Sequence, residues 1–100
     1  MANSFTLSND AERDVMDIYL YSLEQFGEKQ AEAYIDDLYQ RFAQIAASPT
    51  LGRDFSDIHD GAWRINQQSH AIYYRQAQQS IFVLRVLHQS MDPARHLGTG

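Results

Sequence analysis

The amino-acid sequence predicts an α+β fold of order β-α-α-β-β-β, in which a helical hairpin packs on one face of a small antiparallel sheet. Three observations predict it. Two consecutive stretches carry apolar residues at three- and four-residue spacing, a loop with Pro49, Gly52 and scattered aspartates follows, and three β-like runs separated by polar joints complete the chain. With 100 residues and no internal repeat, low-complexity tract or linker, the chain is expected to form a single domain over residues 1–100.

The first strand is expected over Asn3 to Leu7, where a weak alternation ends at Ser8-Asn9-Asp10, a cluster of N-cap residues with Glu12 in the following turn. From Asp10 to Phe26, Ala11, Val15, Ile18, Tyr19 and Phe26 form one helical stripe that Met16, Leu20 and Leu23 widen to about half the circumference. So wide an arc predicts contact with more than the sheet. Gly27 ends this helix and Glu28 opens a second, with a stripe running from Ala31 through Tyr34, Ile35, Leu38, Phe42 and Ile45. The short joint predicts antiparallel neighbours, stopping before Ser48-Pro49 because proline disfavours helical geometry in the residue before it. A loop over 48–61 then leads to β-like runs at Ala62–Gln67, His70–Arg75 and Ser80–His88.

Composition narrows the function. Apolar residues make up 44% of the chain and charged residues 21%, which disfavours both a disordered and a membrane protein. The absence of cysteine removes disulfides and thiolate chemistry. His59, His70, His88 and His96 have no short-spaced ligand pair, so no metal or other cofactor is expected. The N-terminal residues lack the apolar stretch of a secretory signal, and a cytoplasmic location is the expectation. A net charge of −5 argues against general nucleic-acid binding, yet the charge is uneven. Residues 1–37 hold nine acids against Arg13 and Lys29, whereas residues 61–100 hold Arg64, Arg75, Arg85 and Arg95 against Asp92.

The last strand is apolar on both faces, the mark of a strand covered on two sides. Simple alternation puts Phe82, Leu84 and Val86 on one face and Ile81, Val83, Arg85 and Leu87 on the other. The helical hairpin covers one of these faces and leaves the other for the C-terminal tail or for another molecule. A guanidinium within such a strand is costly unless paired, so Arg85 is expected to reach a carboxylate such as Asp92 or a loop acid, a backbone carbonyl or a partner. In Met91-Asp92-Pro93-Ala94-Arg95-His96-Leu97, Asp92 suits an N-cap, Pro93 suits the first helical position, and Leu97 suits packing back on the sheet.

Ala11-Glu12-Arg13-Asp14 with Ile18-Tyr19, Phe26-Gly27, Pro49-Thr50-Leu51-Gly52-Arg53, His70-Ala71-Ile72-Tyr73-Tyr74-Arg75 and Leu84-Arg85-Val86-Leu87-His88 stand in order along the chain, followed by Met91 to Leu97. In order and spacing the set resembles the ParE branch of the ParE/RelE superfamily of bacterial toxin-antitoxin toxins. The resemblance spans nearly the whole sequence. It implies a toxin that poisons DNA gyrase by protein binding and is neutralised in a hetero-oligomer by a wrapping, ParD-like antitoxin. On this reading Ile81, Val83, Arg85, Leu87 and Trp63 are expected to bind the antitoxin, while Met91, Asp92, Arg95 and His96 face the target. No sequence-specific nucleic-acid binding by the toxin alone is expected.

The RelE-like branch of the same fold cleaves messenger RNA on the ribosome, which needs a general acid, a general base and cations for the developing phosphorane charge. Arg64, Arg75, Arg85 and His88 are the groups this sequence could offer, and they define the alternative function. Against it, Ala71 stands where several such nucleases place an arginine, and no lysine follows Lys29.

Overall fold

The computed structural model describes residues 4–97. Its elements run β1 (Ser4–Leu7), α1 (Asn9–Phe26), α2 (Glu28–Ala47), β2 (Arg53–Asp54), β3 (Ala62–Gln67), β4 (His70–Ala77), β5 (Ser80–His88) and α3 (Pro93–His96). Asn3, expected in the first strand, lies outside the described residues. The architecture is the expected helical hairpin on a sheet, with a two-residue β2 that the loop composition concealed. The sheet order is β1-β5-β4-β3-β2, antiparallel except where β1 runs parallel to β5, Leu7 opposite Val83. Two helices and three strands separate these strands in sequence and give ample chain for the crossover that a parallel pair requires.

The local chemistry sets the helix limits. Ser8 caps α1 by accepting a 2.9 Å hydrogen bond from the Ala11 amide, one of the donors without a partner in the first turn. Gly27 alone joins the helices at φ 92° and ψ 171°, a backbone region essentially closed to residues with a Cβ. The hairpin buries Ala11, Val15 and Ile18 from α1 with Leu38, Phe42 and Ile45 from α2, against Ile72, Tyr74, Ile81, Val83 and Val86 of the sheet. The broad arc on α1 is not used in full. Met16, Leu20, Tyr21 and Phe26 stay more than half exposed, while the rest of the arc meets both the sheet and α2, the second contact its width predicts.

A bulge in β5 decides which residues reach which face. Arg85 lies opposite Tyr73 but Val83 lies opposite Tyr74, so Leu84 is an extra residue and the alternation reverses across it. Before the bulge Ile81 and Val83 point into the helix-side core; after it Val86 does, and Leu87 turns to the far face. Ile81, Val83, Arg85 and Leu87 therefore do not share one face, which corrects the reading from simple alternation. Leu87 joins Ala71 and Tyr73 in a smaller cluster covered by Phe55 and by Leu97 of the tail.

Candidate functional site

The bulge leaves backbone groups that a regular ladder would satisfy, and side chains of the α1 region meet them. The Ser8 hydroxyl donates to the Leu84 carbonyl at 2.8 Å, and the Val86 amide donates to Asp14 Oδ2 at 3.0 Å. The same Asp14 carboxylate receives both Nε and Nη2 of Arg85, at 2.8 and 2.9 Å, while Arg85 Nη1 donates to the His96 carbonyl at 2.7 Å. Arg85 is thus paired as its position demands, but with a helix acid and not with Asp92 or a loop acid. The hydrogen bonds to Asp14 push the guanidinium pKa up further, keeping it charged.

Beyond this pair, α1, α2 and the β3–β4 end of the sheet enclose a groove of about 760 Å³. Ile18, Tyr21, Phe26 and Met91 give it apolar walls; Asp17 and Asp37 stand at its sides. Its floor carries His70 and His88, directly opposite across β4 and β5, with rings 5.6 Å apart at 85°. Nδ1 of His70 lies 2.7 Å from the Tyr34 hydroxyl, and Nδ1 of His88 lies 2.8 Å from the Ser90 hydroxyl. Burial holds the His70 pKa below the usual histidine value, with the His88 charge acting in the same direction and Asp14 opposing them. Burial also raises the Tyr34 phenol. Among the described residues, no group of three histidine or acidic side chains is placed to hold a metal ion.

The residues expected to form one nuclease centre are dispersed. Arg64 lies on the far face, its guanidinium 5.7 Å from the Phe55 ring centre and 5.5 Å from that of Tyr73. Arg75 lies on the same face, over Phe82 at 5.9 Å. Arg85 is held by Asp14, and His88 opens into the groove on the helix side. The sheet itself separates His88 from Arg64 and Arg75.

The antitoxin-binding expectation also needs correction. Ile81 and Val83 have no exposed surface, and Leu87 keeps 3%. Trp63 is half-buried and stacked on Tyr74, with ring centres 6.5 Å apart, against the helix-side core. Apolar surface is instead presented by Tyr21 and Phe26 of α1 and by Met91. The sequence could have suggested α1, since its stripe was broader than one contact needs, but not which part would stay open. In the tail, Asp92 caps α3 by accepting from the Ala94 amide at 3.1 Å, Pro93 opens it, and Leu97 packs back, as the residue types predicted. Met91 and Arg95 are exposed, and His96 is half-buried with its carbonyl held by Arg85.

The fold and these local devices can be set beside known proteins. Residues 5–93 match the family model described as the ParE toxin of type II toxin-antitoxin system, parDE. This chain belongs to the ParE toxin family. It is 35% identical over 94 residues to Toxin ParE1 of Caulobacter vibrioides, covering 94% of this chain and 97% of that protein. Toxin ParE1 of Mycobacterium tuberculosis is 34% identical over 98 residues, covering 97% of this chain and all of that protein. A solved structure titled "Chromosomal ParDE TA system from P. aeruginosa" superimposes with a TM-score of 0.74 over 87% of this chain and 96% of its own; at 16% identity the likeness is one of fold. As a ParE toxin, the chain is the toxin component of a type II toxin-antitoxin system. Among the described residues no helix is long and apolar enough to cross a membrane.

Proposed function

We propose that this ParE toxin acts in the cytoplasm by binding and poisoning DNA gyrase, without catalysing a reaction of its own, and that a ParD-like antitoxin neutralises it. The dispersal of Arg64, Arg75, Arg85 and His88 carries the preference for binding over RNA cleavage. General acid–base chemistry on a 2′-hydroxyl needs its groups within hydrogen-bond reach of one phosphodiester, whereas here His88 and the two far-face arginines lie on opposite sides of the sheet.

The antitoxin site in this reading is the groove and the adjoining exposed side of α1, centred on Tyr21, Phe26 and Met91. These side chains are 62%, 59% and 43% exposed, and full burial of an apolar side chain of this size is worth roughly 1.5–3 kcal/mol. The target-facing part is the tail, with Arg95 outward and its course fixed by Arg85. Induction of the chain in bacterial cells tests the function. Gyrase poisoning gives DNA damage and filamentous cells while translation initially continues; messenger RNA cleavage stops protein synthesis first and would replace the proposed activity with the RelE type. Co-expression of the cognate antitoxin restores growth, and Tyr21→Ala with Phe26→Ala weakens that rescue.

A further inference from the structure

The far face of the sheet carries a second polar constellation that neither the groove nor the tail uses. Arg53 of β2 lies directly opposite Arg64 of β3, which lies directly opposite Tyr73 of β4. One row on, Ala62 lies opposite Arg75, and Arg75 opposite Phe82. Three guanidinium groups thus share one face with Phe55, Tyr73 and Phe82. Like charges directly opposite in a sheet are destabilising unless something answers them.

Nothing among the described residues does so. Within 4.0 Å, carboxylates reach Arg13 and Arg85 there, but none reaches Arg53, Arg64 or Arg75. Asp54 accepts from the Ser56 amide at 2.8 Å and from its hydroxyl, and Asp92 caps α3; neither they nor Asp57 and Asp60 of the β2–β3 loop come within ion-pair distance of these arginines. Arg64 is also positioned, because its half-buried guanidinium lies within cation–π reach of both the Phe55 and Tyr73 rings.

We propose that this arginine–aromatic face is a docking site for an extended acidic polypeptide segment of a partner protein. The proposal goes beyond the antitoxin groove, which lies on the other side of the sheet. The geometry fits carboxylates at alternate positions of an extended chain, which are spaced about 7 Å apart. Arg64 and Arg75 stand diagonally on adjacent strands at a similar spacing of about 7–8 Å. Each guanidinium presents a fork that takes a carboxylate through two hydrogen bonds, and Phe55 and Phe82 offer contact for an apolar or aromatic residue between them. Charge favours a peptide over nucleic acid. The chain carries a net charge of −5 and has no lysine after Lys29, so its long-range field repels a polyanion, while three guanidinium groups on one face suit a few carboxylates at short range.

The test uses the intact purified chain with a fluorescein-labelled copolymer of Glu and Tyr, a Gln and Tyr copolymer of equal length, and labelled oligothymidylate, read by fluorescence anisotropy. The Glu-containing copolymer binds, the Gln-containing one binds at least about tenfold more weakly, and raising the salt weakens the difference. Arg53→Gln with Arg64→Gln lowers affinity about tenfold or more, and Arg53→Gln or Arg75→Gln alone, both at exposed positions, lowers it about threefold. Arg13→Gln, on the exposed side of α1, leaves it unchanged. Equal binding of the two copolymers, or undiminished binding by the correctly folded single variants, overturns the proposal. Tighter binding of oligothymidylate than of the Glu copolymer also overturns it, in favour of a nucleic-acid surface.

Discussion

Asp14 and Arg85, 71 residues apart in sequence, form a forked ion pair of 2.8 and 2.9 Å that joins α1, the bulged strand and the C-terminal tail. Both side chains are mostly buried, and the carboxylate also serves the Val86 amide. Breaking a buried pair from one side leaves the other charge uncompensated, which costs 3–5 kcal/mol when burial is complete; here about 2–3 kcal/mol is expected because some solvent reaches the pair. Asp14→Ala should therefore lower the thermal midpoint by roughly 10 °C or more, measured by circular dichroism. Asp14→Leu with Arg85→Met should recover part of that loss.

The same pair has a functional consequence for the tail. Arg85 holds the His96 carbonyl, so Arg85→Met within the double variant releases that anchor while sparing the unpaired charge. Toxicity on induction should fall more than stability does. Equal toxicity of the double variant and the parent would separate the tail's course from its action.

Core and groove positions should behave oppositely. Ile81→Ala or Val83→Ala removes fully buried methyl groups and should cost about 1–4 kcal/mol in denaturant unfolding. Tyr21→Ala and Met91→Ala, at exposed positions, should change stability by no more than about 0.5 kcal/mol. Antitoxin affinity, measured by titration calorimetry, should follow the second pair and not the first.

Tyr74 fastens the loop after α2 to the sheet. Its hydroxyl donates to the Pro49 carbonyl at 2.7 Å and accepts from the Gly52 amide at 3.0 Å. Tyr74→Phe should cost about 1–3 kcal/mol. Gly52→Ala should also destabilise, since a Cβ there would lie 2.6 Å from the Arg64 carbonyl oxygen, which is backbone that cannot turn aside.

His70 predicts a pH dependence. Its folded-state pKa is depressed, first by burial, so between that value and the ordinary histidine value near 6.5 the unfolded chain binds more protons than the folded one. The stability associated with His70 is present above pH 6.5 and is lost as pH falls through the folded pKa. Thermal midpoints measured downward from neutral pH should fall less steeply in His70→Gln than in the parent.

Much of this molecule was legible locally. Ser8, Gly27, Asp92 and Pro93 act through their own backbone neighbourhood, and each does in the structure what its residue type predicts. The buried stripe of α2 follows from three- and four-residue spacing for the same reason. What the sequence concealed was non-local. A bulge at Leu84 inverts the faces of the last strand, so strict alternation misplaced Ile81 and Val83. The Asp14 partner of Arg85 was one of nine acids in the first 37 residues, chosen by a contact that spans most of the chain. Likewise, Arg53 meets Arg64 only because a two-residue strand forms inside a stretch that reads as loop.

On the proposed reading, this toxin acts by binding gyrase. Purified chain added to DNA gyrase with relaxed plasmid and ATP tests it most directly, with ribosomes translating a defined messenger RNA run alongside. Supercoiling should be lost with accumulation of cleaved plasmid, prior addition of the antitoxin should reverse both, and the messenger RNA should stay intact. Unchanged gyrase activity together with cutting of the ribosome-bound message would contradict the proposed reading.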